Sequence, residues 1–82
     1  MVPADAAAKV TQALRIPTIG VGAGPHVDGQ LLVWTDWAGL TKGRIPKFVK
    51  QYADLRSTLA SAVTEYRAEV EAGTYPTAEH SY

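Results

Sequence analysis

The sequence predicts an α/β fold, and three observations support it. A stretch with helical apolar spacing leads through a proline-containing loop into a β-branched, glycine-rich run. A second apolar run follows shortly afterwards, and a long amphipathic pattern occupies the C-terminal half. Helix, short loop and strand together form the αβ half of a βαβ unit, the unit from which parallel sheets are built.

The first predicted helix covers residues 3–14. Pro3 suits the first turn of a helix, because the amide hydrogen that proline lacks has no intrahelical partner there. Pro17 ends the helix, since it disfavours helical geometry in the preceding residue. Apolar residues recur at spacings of four, three and one, which place them on one helical face: Ala6, Val10, Ala13 and Leu14.

Two strands are predicted, at residues 18–22 and 30–34. The first combines β-branched residues with glycine, and the second is nearly continuous in apolar character, as in a strand covered on both faces. The connection between them is short, whereas a parallel crossover usually needs a dozen or more residues. The residues alone therefore leave open an antiparallel pair and an unusually compact parallel crossover.

The C-terminal half predicts irregular structure at residues 35–43, a short helix at 45–52 and then the longest helix. Asp54 suits its N-cap and Gly73 its end. Residues 74–82 are expected to form a loosely held tail. The apolar stripe of the long helix repeats at spacings of four, four, three and four: Leu55, Leu59, Val63, Tyr66 and Val70.

Length and composition exclude several classes of function. At 82 residues the chain is too short for two domains, and it has no cysteine for disulfides, thiolate metal sites or thiol nucleophiles. Its eight basic and eight acidic residues balance, so we expect neither a nucleic-acid nor a membrane partner. No targeting pattern or membrane-spanning run is present, which predicts a cytoplasmic location.

The glycine-rich segment at residues 20–30 is the strongest local candidate for a site. Its G-x-G-x-G pattern lets backbone approach a ligand closely, but it is neither the dinucleotide fingerprint nor a phosphate-binding P-loop. Asp28 fits an Asx-type turn or a site carboxylate. Asp36 follows the second predicted strand and fits a catalytic position or a hydrogen-bonded cap about equally well.

The remaining polar residues indicate no chemistry by spacing. His26 and His80 lie far apart in the sequence, and no metal-binding motif contains them. Arg44, Lys47 and Lys50 form a small basic cluster, for which a solvated surface is the simplest interpretation. From the residues alone, the prediction is an α/β unit with a glycine loop that has the character of a functional site.

Several ordered motifs resemble one family. They are IPTIGVGAGP at 16–25, DGQLLV at 28–33, FVKQYAD at 48–54 and EHSY at 79–82. Together they resemble the C-terminal third of ketopantoate hydroxymethyltransferases. The resemblance implies that residues 1–82 are the C-terminal portion of a (β/α)8 barrel of the TIM type, with two parallel strands plus helices.

The same resemblance implies an activity. The family transfers a hydroxymethyl group from methylenetetrahydrofolate to 3-methyl-2-oxobutanoate, giving ketopantoate for pantothenate and coenzyme A synthesis. It depends on magnesium and assembles as a homodecamer in the cytoplasm. Val21, Leu31 and Val33 match positions that line the apolar side of the 2-oxo acid pocket in the family.

The catalytic base and the metal ligands of the family match nothing in this chain, because the base would fall just before Met1. The resemblance therefore implies a fragment of the enzyme that is inactive by itself. An alternative interpretation is a non-catalytic α/β interaction module, which uses exposed strand edges and the stripe of the long helix to oligomerise or to dock on a full-length relative.

Overall fold

The α/β class is confirmed by a computed structural model that describes residues 1–82. The chain contains three α-helices, two short strands and a 3-10 helix. In chain order they are α1 (Ala4–Ala13), β1 (Ile19–Gly20), β2 (Gly29–Gln30), α2 (Trp34–Trp37), α3 (Leu55–Ala72) and the 3-10 helix (Ala78–His80). No helix is both long enough and apolar enough to cross a membrane.

Helix α1 lies where the apolar spacing predicts it, within one residue at each end. Pro3 is its N-cap and Leu14 its C-cap. Ala7 is the one buried residue of the helix. The Thr11 hydroxyl donates to the Ala7 carbonyl at 2.8 Å, so the polar side chain at this position is satisfied by the helix itself.

The strand pair is parallel, which decides between the two alternatives and agrees with the family resemblance. Ile19 faces Gly29 and Gly20 faces Gln30 in the ladder. The Leu31 amide donates to the Gly20 carbonyl at 2.9 Å, which continues the ladder just past β2. The compact crossover is therefore real, and it consists of the glycine-rich segment.

Both strands are shorter than predicted, so the strand ends at residues 22 and 34 are wrong. The chain bends at residues 21–23, and Gly22 has a φ of +67°, which is not strand geometry. Trp34 begins α2 instead of ending a strand, and the predicted irregular structure at 35–43 is also wrong at its start. The Asp36 and Trp37 amides both donate to the Val33 carbonyl, which closes the first turn of α2.

The prediction of a short helix at residues 45–52 is also wrong. A single turn forms there, in which the Val49 amide donates to the Pro46 carbonyl at 3.0 Å. The Tyr52 and Ala53 amides instead donate to the Trp37 carbonyl at 2.7 and 3.1 Å. Because these donors are used by the end of α2, they are not free to continue a helix.

Helix α3 confirms the prediction at both ends. The Asp54 carboxylate accepts from the Ser57 amide at 3.4 Å, and Gly73 ends the helix in the left-handed region at φ +76°. In the segment that follows, the Tyr75 ring lies 5.6 Å from the Tyr66 ring and 5.0 Å from the His80 ring, measured between centroids. The loosely held character of residues 74–82 stays a prediction.

The chain has almost no interior of its own. Ala7 and Ala38 are its only buried apolar residues, and all its larger apolar side chains are at least partly accessible to solvent. The radius of gyration is 21.3 Å, whereas a compact domain of this length has about 12 Å. The elements therefore expose apolar faces of the kind that other elements cover in a complete α/β domain.

Candidate functional site

An open cleft of about 360 Å³ lies at the carboxyl end of the strand pair. Ligand sites of α/β proteins built on parallel strands lie at this end of the sheet. The walls combine the glycine loop, the segment that follows β2 and one aromatic side chain. They are Gly22, Gly24, Pro25, Gln30, Leu31, Leu32 and Phe48.

One part of the cleft wall is formed by a contact between Gly22 and Phe48. A Cβ atom at Gly22 would lie closer than 3.0 Å to three atoms of the Phe48 ring. Gly22 also has a φ of +67°, a conformation that side chains disfavour. Glycine is therefore required here twice over, once for the turn and once for the approach of the ring.

Two further contacts hold the loop. The Gln30 side-chain amide donates from Nε2 to the Gly24 carbonyl at 2.9 Å, so a residue of β2 is hydrogen-bonded across the loop. Gly24, at φ +86°, approaches Ala4 at the start of α1 so closely that a Cβ there would clash with it. The loop is thus held between β2 and α1.

Asp28 joins the starts of the two strands. Its Oδ2 accepts from the Thr18 amide at 2.8 Å and from the Thr18 hydroxyl at 3.2 Å, and its own amide donates to that hydroxyl at 3.3 Å. The Thr18 and Thr11 hydroxyls are 2.8 Å apart, which extends the network to α1. The Asx-turn interpretation of Asp28 is replaced by this long-range connection, which positions the strands.

The other polar candidates lie apart from the cleft walls. Asp36 is in the first turn of α2, where its Oδ1 accepts from the Thr41 hydroxyl at 2.5 Å. Asp36 is thus hydrogen-bonded, but the predicted cap is wrong, because the N-cap of α2 is Val33 and the Asp36 carboxylate accepts from a side chain. His26 is exposed in the glycine loop, and Nδ1 of His80 lies 2.9 Å from the Thr77 hydroxyl. No group of three His, Asp or Glu side chains comes together to hold a metal ion.

The three predicted pocket residues follow the two strands. Val21, Leu31 and Val33 are 48%, 51% and 49% exposed. Leu31 forms part of the cleft wall, whereas Val21 lies between β1 and the Gly22 turn and Val33 is the N-cap of α2. Since Gly20 faces Gln30, Val21 and Leu31 occupy neighbouring positions just beyond the paired residues.

A second, larger cavity of about 730 Å³ adjoins the cleft. The two share Gly22 and Phe48, so the Phe48 ring contributes to both. Arg44 and Lys47 lie on the wall of the larger cavity, while the cleft wall has no charged residue. Sequence reasoning missed Phe48 as a site residue, because its contact with Gly22 joins distant parts of the chain and no periodicity indicates it.

The chemistry of the cleft walls suits a small molecule with an apolar part. Leucine and phenylalanine side chains supply apolar surface, and glycine backbone and the Gln30 amide supply hydrogen-bonding groups. Binding sites for small molecules commonly combine mostly apolar walls with a few polar groups. No general base is among the wall residues.

Comparison with known proteins gives a consistent assignment. The model of the family described as ketopantoate hydroxymethyltransferase matches residues 1–78. The chain is 70% identical over 82 residues to the 3-methyl-2-oxobutanoate hydroxymethyltransferase of Leifsonia xyli subsp. xyli, and it covers 30% of that protein. It is 59% identical over 81 residues to the protein of the same name from Streptomyces coelicolor, of which it covers 28%.

A third relative extends the pattern. The chain is 61% identical over 82 residues to the 3-methyl-2-oxobutanoate hydroxymethyltransferase of Frankia casuarinae and covers 28% of it. The chain thus spans under a third of the length of the curated relatives that it matches, while the match takes in 99–100% of the chain. On this evidence, the chain belongs to the ketopantoate hydroxymethyltransferase family.

Proposed function

We propose that this chain forms the C-terminal portion of a (β/α)8 barrel that acts as a 3-methyl-2-oxobutanoate hydroxymethyltransferase. One observation carries the proposal: identity of 70% extends over the whole chain but covers 30% of the relative. The chain alone is then inactive and acts only as part of the complete barrel. The proposed partners are the 2-oxo acid, methylenetetrahydrofolate and further copies in a cytoplasmic homodecamer.

The exposed surfaces of the chain support this proposal. A complete barrel of this kind has eight strands and ~250 residues, and its sheet closes on itself. Two strands leave hydrogen-bonding edges on both sides, which proteins normally pair or cover. Ile19, the first residue of β1, is 70% exposed, as expected for a strand whose neighbouring elements belong to the rest of a barrel.

The reaction sets out what the complete site has to supply. A base removes a proton from the carbon next to the 2-oxo group, and the resulting enolate needs stabilisation of its negative charge. That carbon forms a bond to the methylene carbon of the donor, whose two C–N bonds break, and water supplies the hydroxyl oxygen. Tetrahydrofolate leaves with the proton from the acid and one proton from water on its two nitrogens. In the proposed enzyme the base lies outside this chain, while the Asp28 carboxylate accepts a hydrogen bond from the Thr18 amide and the Asp36 carboxylate one from the Thr41 hydroxyl.

In this proposal the chain supplies the apolar side of the 2-oxo acid pocket. Val21, Leu31 and Val33 follow the carboxyl ends of the two strands, the edge at which barrel enzymes bind substrates. Leu31, which lines the cleft, contacts the branched alkyl group of the acid and excludes water from it, and Val21 and Val33 extend the apolar surface beside it. The glycine loop closes the same side, held by the Gln30 side chain.

The residues present do not fit a magnesium site. Magnesium binds oxygen ligands in a near-ideal octahedron, usually through one or two carboxylates. The chain has no group of three His, Asp or Glu side chains that could hold a metal ion. The carboxylate of Asp28, in the glycine loop, accepts a hydrogen bond from the Thr18 amide. No step of the reaction is therefore assigned to a metal held by this chain.

A joined protein tests the function. It consists of the part of the Leifsonia xyli relative that this chain does not match, followed by this chain, and it is hereafter called the joined protein. We expect it to form ketopantoate from 3-methyl-2-oxobutanoate, magnesium and methylenetetrahydrofolate. A well-folded joined protein without this activity contradicts the proposal.

The pocket assignment has its own matched pair of variants. Leu31→Asn places an amide on the cleft wall, and we expect the KM for the 2-oxo acid to rise about tenfold, as for the loss of roughly 1.4 kcal/mol of apolar contact. Leu14→Asn is the control, because Leu14 is similarly exposed, at 47% against 51%, and lines none of the three cavities. Equal effects of the two substitutions contradict the assignment.

A further inference from the structure

We infer that the larger cavity beside the cleft binds the carboxylates of the one-carbon donor, through Arg44 and Lys47. The glutamate portion of a folate carries these carboxylates at the end opposite to its pterin ring. The inference rests on the proposed function, because it assigns the donor side of the same site. It concerns binding alone, and no covalent step is added.

Two basic residues lie on the wall of one cavity. Arg44 and Lys47 flank Ile45 and Pro46 in the chain, and all four residues line the cavity of about 730 Å³. The turn in which the Val49 amide donates to the Pro46 carbonyl at 3.0 Å holds this segment in shape. The two cationic side chains thus come from one segment and border one cavity.

The positive charges of Arg44 and Lys47 are not neutralised within the chain. The only ion pair joins Arg67 and Glu71 on α3, so neither Arg44 nor Lys47 has an acidic partner. Lys50, by contrast, lies over the Tyr52 ring at 4.9 Å from the ring centroid. Carboxylates bind well to arginine and lysine through charge-assisted hydrogen bonds, so an anion is the ligand that this wall favours.

The arrangement also meets the requirement for two substrates. The donor carbon and the acceptor carbon have to touch, so the two binding sites have to be contiguous. The cleft and the larger cavity share Gly22 and Phe48, which makes them neighbours across one ring. The smaller, uncharged cleft suits the 2-oxo acid, and the larger, cationic cavity suits the donor.

The test uses the joined protein and methylenetetrahydrofolate that carries three glutamates. We expect Arg44→Gln and Lys47→Gln each to raise the KM for the triglutamate donor about three- to fivefold, as for loss of an exposed ion pair. The kcat and the KM for the 2-oxo acid stay unchanged. Because charge attraction is screened by salt, the KM of the unsubstituted protein rises with ionic strength more than that of the double variant.

Matched controls separate this role from a general effect of charge. Lys50→Gln removes a lysine three positions away, outside the cavity walls, and should leave the donor KM unchanged. Lys47→Arg keeps the charge and should restore most of the affinity. An unchanged donor KM in both Arg44→Gln and Lys47→Gln overturns the inference. A rise in the KM for the 2-oxo acid alone also overturns it, because the cations then serve the acceptor.

A binding measurement makes the test independent of turnover. Calorimetric titration of the joined protein with tetrahydrofolate triglutamate should show weaker binding in the double Arg44→Gln, Lys47→Gln variant than in the unsubstituted protein. Equal affinity overturns the inference even if the enzyme is active. Weaker binding by the double variant in a joined protein without turnover supports the inference while the proposed function fails, so the two failures are distinguishable.

Discussion

The Phe48 ring packs directly against the backbone of Gly22, so closely that no side chain fits between them. The two residues lie on different sides of β2 and α2 in the sequence, and their contact forms the wall shared by the cleft and the larger cavity. Gly22 is also where the chain turns away from β1. One contact therefore couples the end of the strand pair to the shape of the site.

Gly22→Ala in the joined protein tests this coupling. We expect it to lower the free energy of unfolding by more than the 1–2 kcal/mol, roughly, that a left-handed backbone costs a residue with a side chain. Gly43→Ala is the control, because Gly43 has a φ of +91° but nothing within 4 Å of a Cβ at its position. Denaturant unfolding of both variants measures the difference, and equal losses contradict the importance of the Phe48 contact.

Phe48→Ala should partly relieve the damage caused by Gly22→Ala. Removing the ring makes room for the new methyl group, so the two substitutions together should cost less than the sum of their separate effects. A coupling of about 1 kcal/mol is expected for residues in direct contact. Additive effects in a double-mutant cycle show that the ring and the glycine act independently, against the structure.

We expect Asp28 to stabilise the strand pair and to have no part in catalysis. Asp28→Ala removes the acceptor for the Thr18 amide and hydroxyl, and we expect a loss of about 1–2 kcal/mol in the free energy of unfolding. Asp28→Asn keeps an acceptor oxygen and should lose less. The kcat of the folded joined protein should change little in either variant, and a loss of several orders of magnitude in Asp28→Asn assigns Asp28 to catalysis instead.

Helix α3 should depend on its two caps. In a peptide of residues 53–75, Asp54→Ala removes the side chain that accepts from the Ser57 amide, and we expect a loss of about 0.5–1 kcal/mol of helix stability. Gly73→Ala should cost a similar amount of roughly 1 kcal/mol, because alanine disfavours the left-handed C-cap. Far-UV circular dichroism measures both losses. Asp54→Asn is the control that keeps a capping oxygen, and equal helicity in all the peptides contradicts this description.

The exposed apolar faces should be visible in solution. The purified chain should bind 8-anilinonaphthalene-1-sulfonate with a strong rise in fluorescence, because apolar side chains such as Trp34 are accessible, here at 57% exposure. The joined protein should bind much less dye per chain, since the rest of the barrel covers these faces. Equal dye fluorescence from the two proteins contradicts the proposed packing.

Local patterns predicted the two long helices well. The bounds of α1 follow from its apolar spacing and the prolines around it, and those of α3 follow from Asp54 and Gly73. These signals act within a few residues of each other, so no knowledge of the tertiary structure is needed. The family resemblance added the parallel direction of the strands, which the residues alone left open.

The errors came from one contact between distant residues and from local turns. The segment at 45–52 is not a helix because the Tyr52 amide donates to the Trp37 carbonyl at 2.7 Å, a bond that no periodicity indicates. β1 is short because the chain bends at Gly22, and β2 is shorter than predicted because α2 begins at Trp34. Of the three pocket residues that the family resemblance implied, Leu31 lies on the cleft wall and Val21 and Val33 do not, and their role in binding stays a prediction. Phe48 could be found only from the structure, because its contact with Gly22 joins distant parts of the chain.

The proposal that this chain is active only as part of a complete barrel is tested most directly by measuring ketopantoate formation. The chain alone and the joined protein are assayed under the same conditions. Both proteins receive magnesium, 3-methyl-2-oxobutanoate and methylenetetrahydrofolate. We expect no product above the enzyme-free blank from the chain alone, and steady turnover by the joined protein. Turnover by the chain alone would contradict the proposal, because the residues of this chain would then supply the base and the enolate stabilisation themselves.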